Sequence, residues 1–334
     1  TNYIYIFTMS DNTNVIKHLV ISGGGPLGFR YLGALQKLQK EGFWDIKNIK
    51  SIYGTSIGSI IGAFICLKYD WETLNKYIIE RPWKDAFKVN AKQIFDSYYN
   101  KGLFDIKLAE KIFKPLLQAK ELELNITLQE FYEFSKIDLH VFSFELNKFE
   151  TVELSYKTHP NLGLLQALTM SSSLPGIFMP TIIDNCCYID GGVMCNYPLN
   201  ECLKDHENTN EILGIKSCYD NDITTDKDKN RDSSKNIAVT QESSLLEYVI
   251  CLSINAMNFI RDTVKQQDIR NTVWCQVTEN PLTLECIQKA VKDKEMREEW
   301  VKLGEKDAEV FLSLVKDRKS TRLNSSHLVI SYAV

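Results

Sequence analysis

Two periods of apolar and polar residues alternate along the first 70 positions. Residues 16–22 form a short β-branched run ending in glycines, which predicts a buried strand. Over 26–40, Phe29, Leu32, Leu35 and Leu38 recur at helical spacing, and Gly42 follows as a stop. Residues 49–53 read as a second strand. Residues 57–68 are apolar almost all round, as in a buried helix. Strand, turn and helix thus occur twice, which predicts an α/β fold with parallel strands.

Further on, 71–135 is mostly helical in pattern, for example 105–118. Residues 137–144 and 149–154 read as strands joined at Asn147. A helix over 162–170 runs into the turn-like 171–176, and a short strand at 187–189 delivers Asp190 into a glycine turn. Residues 219–243, rich in Asp, Lys, Asn, Ser and Thr, predict a mobile surface loop. An apolar helix at 245–260, a strand at 272–277 and a helix at 297–314 complete the pattern. There is no internal repeat and no evident boundary between domains.

The length of 334 residues suits one large α/β domain. A formal charge of −4 without a basic stripe gives no reason to expect nucleic acid. No apolar run approaches the ~18 residues that span a bilayer, and no stretch has a secretory layout. Nine cysteines lie mostly among apolar residues, without a Cys-x-x-Cys pair. That pattern predicts reduced thiols in a cytoplasmic protein. Cys186, Cys187 and Cys195 flank Asp190, but without a matching Cys/His pair they make a weak metal site. At the ends, 1–8 reads as upstream read-through before Met9. Residues 317–334 resemble a translated sequencing adapter, which would place the end of the biological chain near Lys316.

Three motifs carry candidate chemistry. Gly54-Thr55-Ser56-Ile57-Gly58, between a strand and a buried helix, has the form of a nucleophile elbow. A helix N-terminus behind Ser56 favours developing negative charge. Asp190-Gly191-Gly192 is a candidate base, although alone it reads as a hairpin turn. His206 follows Asp190, so a Ser56–Asp190–His206 triad also fits the chain order. Gly23-Gly24-Gly25-Pro26-Leu27-Gly28 offers backbone donors for an oxyanion. It also satisfies a dinucleotide-binding pattern, but the second strand ends in Tyr53-Gly54 instead of an acidic residue.

In this order, the three motifs resemble those of the patatin-like phospholipases, acyl hydrolases with a Ser–Asp dyad. The run from Ser171 to Pro180, Asp190 to Pro198 with Asn196, and Glu299 to Ala308 resemble further segments of that family. The resemblance covers 15–315 as one domain. It implies a three-layer α/β/α fold with a mainly parallel central sheet. It also implies Ser56 as nucleophile, Asp190 as base and His206 as a surface residue. Gly23, Gly24, Gly25, Leu27 and Gly28 would form the oxyanion loop, supported by Gly54, Gly58, Gly191 and Gly192. No metal or cofactor is needed for this chemistry. The implied substrate is a phospholipid or other acyl-ester lipid, met by peripheral contact with a membrane. A catalytically silent scaffold of the same fold is the alternative, with nucleotide binding a more distant one. Where the family commonly carries Arg or Lys, this chain has Leu27, and Arg30 is the candidate to supply the charge. The helix at 245–260 is either an ordinary core helix or the border of a lipid groove.

Overall fold

The computed structural model describes residues 15–219, 238–263, 267–277 and 280–330. The expected read-through at 1–8 and most of the loop expected at 219–243 lie outside these residues. The chain opens with β1 (His18–Ile21), the glycine loop and α1 (Gly28–Lys40), then β2 (Ser51–Thr55) and α2 (Ile57–Cys66). Next come α3 (Trp71–Glu80), α4 (Ala91–Asn100), β3 (Gly102–Phe104), α5 (Ile106–Gln118) and α6 (Leu128–Ser135). The hairpin β4 (Asp138–Glu145) and β5 (Glu150–Leu154) leads to α7 (Leu164–Ser172). Short strands β6 (Gly176–Phe178), β7 (Thr181–Ile183) and β8 (Cys186–Asp190) precede α8 (Leu199–Asp205) and β9 (Ile212–Tyr219). The last elements are α9 (Leu245–Thr263), β10 (Thr272–Val277), α10 (Leu284–Lys292) and α11 (Lys294–Ile330).

Strands β10, β9, β1, β2 and β4 lie side by side, and each pairs in parallel with its neighbour. The far edge is antiparallel, because β5 and β8 both pair with β4 in that sense. The central sheet is therefore parallel from β10 to β4 and antiparallel beyond β4. β9 has no counterpart among the sequence expectations. Its run Ile-Leu-Gly-Ile-Lys-Ser-Cys-Tyr mixes apolar and polar residues without a regular period.

Register explains how two distant segments meet. Residues 143–145 of β4 pair with β5 on one edge and with β8 on the other. Residues 141 and 142 likewise pair with β5 on one edge and β2 on the other. Strands β2 and β8 therefore occupy the same edge of β4 in tandem, end to end. Thr55 lies opposite Phe142, and Asp190 opposite the next residue, Ser143.

The two sheet faces are covered unequally. Leu19, Ile21, Ile52, Leu139 and Val141 face a large core with residues of α1, α2, α5, α7 and α11. Val20, Tyr53, Phe142 and Ile212 face a smaller one with Leu199 and Cys202 of α8. The three layers are present, with one much thinner. α1 and α11 pack so closely that a Cβ on Gly304 would lie 1.9 Å from the carbonyl oxygen of Arg30. α11 is longer than the helix expected at 297–314.

Candidate active site

Ser56 lies between β2 and α2, as the N-cap of α2, at φ 53° and ψ −125°. A residue with a side chain enters such backbone space at a cost of order 1–3 kcal/mol. The turn closes because its neighbours are glycines. A Cβ on Gly58 would lie 2.2 Å from the carbonyl oxygen of Ile21, and one on Gly54 2.6 Å from the carbonyl carbon of Gly58. Hydrogen bonds hold the turn in place. Ser56 N–H donates to Ser171 Oγ at 2.8 Å, and the Ser171 hydroxyl donates to the Phe142 carbonyl at 2.5 Å. The Ser59 hydroxyl donates to the Ser56 carbonyl at 2.6 Å.

The Ser56 hydroxyl lies beside the Asp190 carboxyl, and both line one cavity. Asp190 is 4% exposed and accepts the Gly192 N–H on Oδ1 at 2.7 Å. Burial pushes its carboxyl up to about 6, and the Gly192 N–H and the nearby Ser56 hydroxyl offset only part of that desolvation. A carboxylate poised there is ionised at neutral pH yet accepts a proton readily.

The glycine loop borders the same space. Of the five donors expected from the sequence, three are already used inside the protein. Gly23 N–H donates to the Asn196 carbonyl at 2.9 Å, and Leu27 N–H to the Gly24 carbonyl at 3.2 Å. Gly28 N–H donates to the carbonyls of Gly25 and Pro26. Gly24 and Gly25 give their N–H groups to no acceptor among the described residues. The expected donor set of Gly23, Gly24, Gly25, Leu27 and Gly28 therefore narrows to Gly24 and Gly25. The loop conformation, with Gly24 at φ 160° and Gly25 at φ 53°, spends the Leu27 and Gly28 N–H groups on its own short turn, while Gly23 is taken by Asn196.

Two further expectations are corrected. Arg30 does not supply a charge to the loop. Its Nη2 and Nε bind Asp307 of α11, the former at 2.8 Å, so it joins two helices. His206 is not a plain surface residue. It is half-buried, stacks on His18 with ring centroids 3.6 Å apart, and reaches Ser51 Oγ and Tyr53 OH at 3.4 Å. Ser51 starts β2 and Ser56 follows its end, about 16 Å away at ~3.3 Å per residue. A triad through His206 is therefore ruled out by distance.

Ser56 and Asp190 open into a cavity of about 280 Å³, near the lower end of the ~300–1,000 Å³ typical of ligand pockets. Ile60 and Phe64 of α2, Leu108 and Ile112 of α5, Leu168 of α7, and Ile254 and Met257 of α9 line it. The charged residues among its described lining are Asp105 and Asp190. A pyrophosphate would meet two carboxylates and no cationic side chain there, which disfavours the dinucleotide reading of the glycine loop. α9 proves to be both core and border. Ile250 and Ile254 are buried, while Ile254, Met257 and Asn258 line the cavity.

Ser171 and Asn196 had no role assigned from sequence. Ser171 ties the elbow to β4, and Asn196 ties the glycine loop to the segment after Asp190. The available signal was three consecutive serines ending an apolar helix, since buried hydroxyls need partners. Among the described residues, no group of three or more His, Cys, Asp or Glu side chains is arranged to hold a metal ion.

An α/β sheet with a serine elbow and a buried acid at its carboxyl end defines a class, the serine-dependent ester hydrolases. Comparison with known proteins narrows this further. Residues 19–203 match the family model described as patatin-like phospholipase, and the chain belongs to that family. It is 31% identical over 210 residues to a probable lipid hydrolase, 463L, of Invertebrate iridescent virus 6. That match covers 61% of this chain and 69% of the viral protein. It is 23% identical over 186 residues to lysophospholipase NTE1 of Candida albicans, covering 56% of this chain and 12% of that protein. Among solved structures, VipD from Legionella pneumophila is similar at a TM-score of 0.46 and 18% identity, over 86% of this chain and 67% of that one.

Proposed function

We propose that this protein hydrolyses carboxylic esters of membrane or storage lipids, with Ser56 as nucleophile and Asp190 as general base. The observation that carries the reading is the placement of Ser56 beside a buried Asp190 by adjacent register on β4, with both lining one apolar cavity. The names of relatives, a probable lipid hydrolase and a lysophospholipase, support the substrate class.

Ser56 Oγ attacks the ester carbonyl carbon as its proton passes to Asp190. The carbonyl oxygen becomes an oxyanion and accepts the N–H groups of Gly24 and Gly25. Such donors contribute about 3–4 kcal/mol to transition-state stabilisation. Collapse breaks the bond to the leaving alcohol, which takes the proton from Asp190, and an acyl-Ser56 ester remains. Water then gives a proton to Asp190 and its oxygen to the acyl carbon. Collapse of this second intermediate returns the proton to Ser56 and frees the fatty acid. The acyl chain lies among Ile60, Phe64, Leu108 and Leu168 throughout.

No helix among the described residues is long and apolar enough to cross a membrane. We place the enzyme at the membrane surface by peripheral contact, in the cytoplasm, where its nine free thiols are compatible with a reducing compartment.

The test is fatty-acid release from mixed phospholipid vesicles in EDTA, with Ser56 labelling by a fluorophosphonate. Ser56→Ala and Asp190→Asn should each lower kcat by about 10⁴-fold or more, and His206→Ala should retain activity. A folded parent chain whose Ser56 resists the fluorophosphonate would overturn the assignment and favour a silent scaffold.

A further inference from the structure

Helix α4 turns its apolar side chains outward. Ile94 and Tyr98, and likewise Phe95 and Tyr99, stand four residues apart and share a face. They are 61% to 78% exposed, and no residue of α4 is buried. A surface helix ordinarily points its apolar stripe at the core. Here the orientation is reversed, although the helix is well specified locally. Asn90 and Gln93 form a capping box, with bonds of 2.9 and 3.1 Å.

The flanking charge suits a negative surface. Residues 81–107 hold six Lys or Arg and three Asp, in a chain whose formal charge is −4. Lys84, Lys88 and Lys92 are exposed and form no ion pair among the described residues. Aromatic side chains on one face with lysines alongside are the composition of an interfacial helix.

The helix is also continuous with the cavity. It runs into β3, where Phe104 pairs in register with Phe178 of β6. Phe87, just before α4, stacks edge-on against Phe104 with centroids 5.4 Å apart. Phe87 and Phe178 both line the cavity that holds Ser56. On the other side of β6, α9 exposes Leu245, Tyr248, Leu252 and Phe259, a second outward stripe at spacings of three, four and seven.

We infer that α4, with the lysines at 84, 88 and 92, docks on the surface of an anionic lipid bilayer and brings the cavity mouth to it. This deepens the reading of the protein as a lipid ester hydrolase and rests on it for the substrate. The aromatic face enters the headgroup region, the lysines meet anionic headgroups, and an extracted acyl chain passes the Phe87–Phe104–Phe178 cluster.

Flotation with vesicles tests this in a Ser56→Ala background, where no lipid is consumed. The vesicles are phosphatidylcholine alone or mixed with phosphatidylserine, and Phe95→Trp serves as an emission reporter. Binding should favour the phosphatidylserine vesicles and weaken with salt, and the indole emission should shift to the blue. Phe95→Ser/Tyr98→Ser and Lys84→Gln/Lys88→Gln/Lys92→Gln should each bind at least about ten-fold more weakly, since each surface lysine is worth about five-fold. With Ser56 intact, both should hydrolyse a short soluble ester at the parent rate. Vesicle binding unchanged in both variants, or an unshifted emission, would overturn the inference. Loss of a dimer in the aromatic variant would assign the face to a second copy of the chain and overturn it too. Normal docking without soluble-ester hydrolysis by the parent would instead sink the catalytic reading and leave the docking surface standing.

Discussion

The two ends of the parallel sheet handle buried charge in opposite ways. At the carboxyl end, Asp190 has the Gly192 N–H and the nearby Ser56 hydroxyl but no cation at hand, so burial prevails and its carboxyl rises to about 6. At the amino end, His140 lies between two carboxylates, with Nε2 at 3.1 Å from Asp138 and Nδ1 at 2.7 Å from Glu153. Burial alone would lower its pKa, yet the two acids outweigh that and raise it to about 9. Lys157 completes the group at 2.7 Å from Asp138. His140 also stacks flat on Tyr53, whose hydroxyl donates to Asp205 at 2.6 Å. Three of the four histidines before the C-terminal tail, His18, His140 and His206, gather at this end, away from the nucleophile. The amino end is paired with cations, whereas the carboxyl end is left under-compensated, as a site that must exchange a proton requires.

The largest effect should come from breaking the neutralised end. His140→Ala removes the cation shared by Asp138 and Glu153, but Lys157 still pairs Asp138 and Glu153 is part-exposed, so it should cost up to about 3 kcal/mol in urea unfolding. Activity per folded molecule should stay at the parent value. A matching loss of kcat in folded protein would show that the two ends are not independent.

The under-compensated end should respond in the reverse sense. Asp190→Asn removes a carboxylate whose ionisation the fold resists. It should raise stability at neutral pH by up to about 3 kcal/mol, the equivalent of a shift from 3.8 to about 6, while abolishing hydrolysis. A lower melting temperature would contradict a desolvated Asp190.

The smallest effects lie in pH dependence. Because Asp190 must be ionised to act as base, kcat/KM should rise with pH through about 6. Stability has the opposite sign for this group. A raised carboxyl favours folding at low pH, and that contribution disappears as pH rises through about 6. His18 is lowered to about 4, chiefly by burial and then by His206. Its contribution is present above 6.5 and lost as pH falls towards 4. The two oppose each other in this window, so Asp190→Asn should lose stability more steeply on acidification than the parent chain. Parallel stability–pH curves would exclude this opposition.

Local patterning accounts for what was legible. The strands at β1 and β2, the buried helix α2, the hairpin of β4 and β5, and the helix α9 all follow from apolar patterning, with glycines marking the ends of β1 and β2 and Asn147 the hairpin turn. The candidate nucleophile and base were legible because a tight strand-to-helix turn and a glycine turn leave short, recognisable sequences. β9 was missed, since a strand covered unequally on its two faces shows no clean period. The outward stripe of α4 was missed for another reason. Its spacing matches that of a core-facing helix, and spacing says nothing about which way a face points.

By itself, then, the sequence determined which short segments are strands, elbows and helices, because each depends on residues within a few positions of one another. Tertiary structure decided what meets what. The tandem placement of β2 and β8 on one edge of β4 brings Asp190 to Ser56 across 134 positions of chain. The same sheet keeps His206 about 16 Å away, at the other end of β2. The glycine loop's internal turn leaves Gly24 and Gly25 as donors, and Asp307 holds Arg30. These are outcomes of strand register and side-chain competition, which depend on contacts between segments far apart in the chain.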